Sequence, residues 1–147
     1  MAFKASNIVP SDAYATLKRG AVQAKVNLQG FNSRLAAENA SYSFIQDIYL
    51  TLKRYQTQAT TLAATPGIVA YAKDQEDDQT YDVVAEFNTM TATITSALGW
   101  LDANVPTNVT AKAPADWDGG VIISNEFTPA QTSGLRTQLT AVINTIS

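Results

Sequence analysis

The feature that most constrains this chain is a set of apolar residues recurring at alternating steps of three and four. After Pro10, the residues Tyr14, Leu17, Ala21, Ala24, Leu28, Phe31 and Leu35 keep that rhythm, which puts them on one face of a long helix. Ile45, Ile48, Leu52, Tyr55, Ala59 and Leu62 repeat it, as do Val83, Phe87, Met90, Ile94, Leu98 and Leu101, and finally Leu135, Leu139, Val142 and Ile146. No helix of this kind can bury its stripe alone. The predicted fold is therefore mainly α, a bundle of about four main helices.

Caps and breakers give the predicted boundaries. Residues 1–10 read as an N-terminal arm, with Ser11 capping the first helix and Asp12 adding favourable charge to its first turn. Gly20 and Gly30 each cost that helix about 1 kcal/mol relative to Ala, and Gly30 is the expected place for a break. Ser41 is suited to cap the second helix, making the first two an αα-hairpin. Thr65 at N-cap and Pro66 in the first helical position open a short helix anchored by Ile68, Val69 and Ala72. The charged run Lys73-Asp74-Gln75-Glu76-Asp77-Asp78 is too polar to bury and forms an exposed corner. Thr80 is expected to cap the next helix, with Asp82 in its first turn, and Asn104-Val105-Pro106 ends it. Thr128, Pro129 and Gln131 make the capping box of the last helix, whose apolar face runs to Ile146 and docks it.

The stretch from Pro106 to Gly120 has no helical period and contains Pro114 and Gly119-Gly120, so it reads as a long surface loop. Val121-Ile122-Ile123-Ser124-Asn125-Glu126-Phe127 is rich in β-branched residues and is predicted as one short strand near the C-terminus, without a second strand of similar quality to pair with. Residues 1–147 fit a single helical domain, with 106–127 as loop and short strand.

Composition argues against several kinds of chemistry. With no Cys and no His, the chain has neither thiolate sites nor the commonest general base and metal ligand. The acidic run at 74–78 lacks the alternating ligands and central Gly of a calcium loop. Asp116-Trp117-Asp118 offers two carboxylates where calcium wants six to eight oxygens. No phosphate-binding loop, dinucleotide fingerprint or nucleophile elbow is present. The expectation is a protein with no catalytic residues, no cofactor and no metal, and hence no enzyme. A net charge of −3 argues against binding duplexes by phosphate neutralisation. Lys18-Arg19 and Lys53-Arg54 place basic pairs on two helices that should pack together, but lack the interleaved aromatics of a nucleic-acid surface. The similar fragments Tyr14–Arg19 and Tyr49–Arg54 stop matching on both sides and do not make a repeat. No stretch approaches the roughly 20 apolar residues of a membrane helix, and residues 1–10 lack the apolar run of a secretory signal.

What remains is binding. Charged residues make up 16% of the chain, below the usual quarter, as expected if neighbours cover part of the surface or if Ala and Thr populate the helix exteriors. Trp117 is either folded over the helices or offered to a partner as an anchor. Together with Val121, Ile122, Ile123 and Phe127 it forms the expected contact surface, since the helices account for their own stripes.

The Ala- and Thr-rich helices, the helix exit Trp100-Leu101-Asp102-Ala103-Asn104-Val105-Pro106 and the closing Phe127-Thr128-Pro129-Ala130-Gln131-Thr132-Ser133-Gly134-Leu135-Arg136 resemble small proteins encoded among the head and tail genes of tailed bacteriophages. The likeness covers most of the chain. It implies a structural virion protein, made in the host cytoplasm and incorporated into the particle. Within that class it implies a head-to-tail connector or adaptor subunit, a homo-oligomeric ring whose partners are portal, capsid or tail components. A capsid decoration or other virion-associated protein is a close variant, and a non-viral helical regulatory binding module is the alternative from another class.

Overall fold

A computed structural model describes residues 9–37, 42–104 and 129–146. Five helices account for most of them: α1 (Pro10–Ala37), α2 (Tyr42–Ala63), α3 (Ile68–Glu76), α4 (Val83–Asn104) and α5 (Pro129–Ile143). Four are long and α3 is short, as the stripes predict. The expected loop and strand at 106–127 and the capping residues Ser41 and Thr128 lie outside the described residues, and no strand occurs among those that are described.

The long helices pack in the cyclic order α1, α2, α4, α5, each against its two neighbours. Successive members run in opposite directions, an up-down-up-down arrangement. Nearly every stripe residue is buried in one continuous core, with Leu28, Ile45, Ile48, Leu52, Ile94, Leu101, Leu135 and Leu139 all at 0% exposure. Burying a side chain of this size contributes about 1.5–3 kcal/mol, which is why the pattern decides the fold. Ala21, Phe31 and Trp100 are partly buried against that core.

α3 completes the bundle in an unexpected place. It packs on α1 and α4, as α5 does. Its C-terminal Glu76 reaches Tyr14 and Lys18, whereas the end of α5 meets α1 further along, where Lys25 donates to the Ile146 carbonyl at 3.1 Å. α3 and α5 thus share the fourth column of the bundle, end to end, with their C-termini facing one another.

The boundaries differ from the sequence-based expectations at several points. Pro10 is the first residue of α1, and Val9 is its cap, accepting the Ala13 N–H at 3.1 Å. Ser11 lies inside the first turn and does not cap it. Proline suits that position because it has no N–H to leave unpaired. The helix does not break at Gly30: α1 runs through it to Ala37, because Leu28 and Leu35 on either side are buried and outweigh the cost of one glycine. Pro66 does not start α3. It occupies the second place of a turn closed by the Ile68 N–H on the Thr65 carbonyl at 3.2 Å, with Gly67 third at φ 85°, ψ −3°. That is the geometry of a type II turn, which requires a residue such as glycine there. Val69, expected as an anchor, is 37% exposed, while Ile68 and Ala72 are buried.

The acidic run is exposed, but its first four residues finish α3. The helix ends with Asp77 in the left-handed region (φ 50°, ψ 44°), its N–H on the Asp74 carbonyl and the Asp78 N–H on that of Lys73, a Schellman ending with Asp in the usual glycine position. Asp82, not Thr80, caps α4: its carboxylate accepts the Val84 and Ala85 N–H groups at 3.0 and 3.2 Å. Thr80 instead donates its hydroxyl and its N–H to Asp78.

Candidate functional site

The residues expected to bind partners, Trp117, Val121, Ile122, Ile123 and Phe127, all lie outside the described residues, as do Asp116 and Asp118. Two other surfaces are well defined.

The first is a cleft of about 270 Å³ where α3 and the end of α5 meet. Its apolar lining comes from Ala21 and the exposed Val22 on α1 and from Phe87 and Met90 on α4, and Thr145 and Ile146 close one end. The opposite rim is polar. Tyr14 donates its hydroxyl to Glu76, Lys18 donates to the same carboxylate oxygen at 3.1 Å, and Tyr81 donates to Glu86. The Tyr71 ring meets Tyr14 edge to face at 6.0 Å, fixing the orientation of the phenol.

This arrangement separates proton acceptors from donors. The Tyr14 hydrogen bond, seconded by Lys18, holds the Glu76 carboxyl below the usual range. Burial, with the bond to Glu76 adding to it, pushes the Tyr14 phenol up, and burial followed by the bond to Glu86 does the same to Tyr81. The bond to Glu76 also raises Lys18. At neutral pH the rim therefore presents an ionised Glu76, protonated phenols and an ammonium. Such a set offers both hydrogen-bond donors and acceptors, and Glu76 is not held protonated for general-acid work.

The second surface is an open groove between the outer sides of α1 and α2, lined by Gln23, Asn27, Leu50, Lys53, Arg54, Tyr55, Thr57 and Gln58. Asn27 donates to the Tyr55 hydroxyl across it. Lys53 and Arg54 lie over the Tyr49 and Tyr55 rings, at 5.7 and 5.4 Å from their centroids. The two basic pairs of the sequence do not converge. Lys18 points to Glu76 on α3, and Arg19 donates to Thr16 on its own helix. Among the described residues no cluster of three or more acidic side chains is close enough to hold a metal, and no helix is long and apolar enough to cross a membrane.

Sequence reasoning missed the cleft entirely. One signal pointed to it: Tyr14 and Tyr81 carry hydroxyls that need partners when their rings are covered, and Glu76 and Glu86 flank the same corner.

The described residues form five helices built on an up-down-up-down bundle, with a phenol-carboxylate cleft where α3 and α5 meet and a basic groove on one side. No protein-family model, curated protein or solved structure matches this chain.

Proposed function

We propose that this protein is a structural virion component of a tailed bacteriophage, a head-to-tail connector or adaptor subunit that assembles as a ring by protein–protein contacts. The observation that carries the reading is that the described helices bury their own apolar stripes against one another. The described core is drawn from the five helices and the residues beside them, while the sequence concentrates Trp117, Val121, Ile122, Ile123 and Phe127 between α4 and α5, outside the described residues. On this reading those residues meet portal, capsid or tail neighbours, with the 121–127 segment pairing as a strand on a neighbour's sheet edge. The sequence resemblance supports the same class, and the cleft and groove are suited to binding.

Mass spectrometry of purified particles, combined with solution mass measurement of the isolated chain, tests the proposal. The expected result is presence in the particle at fixed stoichiometry and self-association in solution. Trp117→Ala and a Val121→Ser, Ile123→Ser double variant should reduce incorporation while leaving the helical signal and melting temperature unchanged. Absence from particles together with a strictly monomeric chain overturns the proposal, and a single stoichiometric host partner would replace it with a regulatory binding module.

A further inference from the structure

Among the described residues, a cluster of carboxylates and a basic pair lie on two different sides of the bundle. Of 13 acidic residues, six (Asp74, Glu76, Asp77, Asp78, Asp82 and Glu86) fall on the α3–α4 corner, and all six are exposed. The ammonium groups beside them are already engaged: Lys73 donates to the Gln79 and Tyr81 carbonyls at 3.0 and 2.7 Å, and Lys18 to Glu76. The lining of the α1–α2 groove carries Lys53 and Arg54 and no carboxylate. Exposed Arg19 and exposed Asp47 each lie about one helical turn before a groove residue, Gln23 and Leu50, and offset one another at its edge. In the cyclic order of the bundle, the α1–α2 side and the α3–α4 side are opposite.

We propose that the acidic α3–α4 corner of one copy docks in the basic α1–α2 groove of the next, head to tail. The partner is a second copy of this chain because each copy carries both complementary surfaces. Pairing groove with groove or corner with corner would set like charges against each other, so a two-fold symmetric dimer through either surface is disfavoured. A contact between unlike patches is heterologous, and heterologous contacts close into rings when the rotation between copies permits. The groove supplies more than charge. Its amides (Gln23, Asn27 and Gln58) offer donors to carboxylates, and the half-exposed Leu50 offers an apolar contact. Lys53 and Arg54 rest along aromatic rings, so holding them in place costs less side-chain freedom. This inference deepens the assembly reading and rests on it.

Charge exchange tests the contact in the full-length chain by sedimentation velocity. The wild type should self-associate at low salt and dissociate as salt screens the contact. Lys53→Glu with Arg54→Glu should raise the dissociation constant about tenfold or more. So should Asp74→Lys with Asp77→Asn, where Asn tolerates the left-handed backbone at 77. Mixing the two variants should restore complexes, because the unaltered corner of the first meets the unaltered groove of the second. That recovery also shows that both variants are folded. Undiminished assembly of the Lys53→Glu, Arg54→Glu variant, or no recovery on mixing, overturns the contact. Particle mass spectrometry keeps the two ideas apart: presence in particles with no effect of charge exchange removes this contact alone, and recovery on mixing with absence from particles removes the virion reading alone.

Discussion

Tyr14 donates its phenolic hydrogen to Glu76, 62 residues further along the chain, and this bond ties the second turn of α1 to the end of α3. Because the bond, with Lys18, favours the carboxylate, the folded state holds the Glu76 carboxyl below its ordinary value. The unfolded chain then binds that proton more readily, so the contribution is present above the ordinary glutamate range and is lost as pH falls through the lowered folded value. Melting curves recorded from about pH 7 down to about pH 3 should show wild type losing its advantage over Glu76→Gln across that interval. Asp78, also lowered, by its bonds to Thr80, acts equally in both chains and cancels. Curves that stay parallel would remove Glu76 from the acid response.

Glycines on α4 and α5 should respond with opposite signs. A methyl group at Gly134 would run into the Trp100 ring, with two of its ring atoms only 3.2 Å away, whereas one at Gly99 meets nothing within 4 Å. Gly134→Ala is expected to cost about 1–3 kcal/mol through overpacking. Gly99→Ala should gain about 0.5–1 kcal/mol from lower unfolded-chain entropy. Urea denaturation of the two variants checks the contrast, and equal effects would mean that the indole moves aside freely.

The cap of α4 can be located by substitution. Asp82→Ala should destabilise the protein by about 1 kcal/mol, since two N–H groups at the helix start lose their acceptor. Thr80→Ala removes only an exposed bond to Asp78 and should stay within about 0.5 kcal/mol. Chemical denaturation midpoints give the order, and a larger loss at Thr80 would return the cap to that residue.

Thr65 is 3% exposed and its hydroxyl has no hydrogen-bond partner among the described residues. Thr65→Val replaces that unpaired group with a methyl of the same shape and should raise stability by up to about 1 kcal/mol. Thr132, also buried and without a hydroxyl partner among the described residues, should behave alike. A lowered melting temperature in both variants would contradict the unpaired state of these hydroxyls.

Periodicity made the core legible. The residues spaced three and four apart from Tyr14 to Leu35, and the three later stripes, are those that the bundle buries, because burial of whole helix faces dominates the energetics. Helix starts were less legible. Ser11 and Thr80 are good capping types, but the choice between them and Val9 or Asp82 depends on where the incoming backbone turns, and one turn offers several acceptable residues. Gly30 misled because its cost is local while the burial of Leu28 and Leu35 is tertiary. The Tyr14–Glu76 and Tyr81–Glu86 pairs frame a cleft that exists only once α3 lies beside α1, and no sequence period encodes that placement. Trp117 and the 121–127 segment, the contact surface expected from the sequence, stand outside the described residues.

Sharing one column between α3 and α5 also fixes the order in which the molecule can be finished during synthesis. The first three columns and the lower part of the fourth are in place once α4 has left the ribosome, while the upper part waits for a helix whose partners on α1 were made long before: Asn32 meets Thr140 across 108 residues and Lys25 meets Ile146 across 121. Until α5 arrives, the faces of α1 and α4 that it covers are open. A nascent chain paused at that stage presents a surface shaped to receive a helix, and a chaperone or the α5 of another copy is the natural competitor for it.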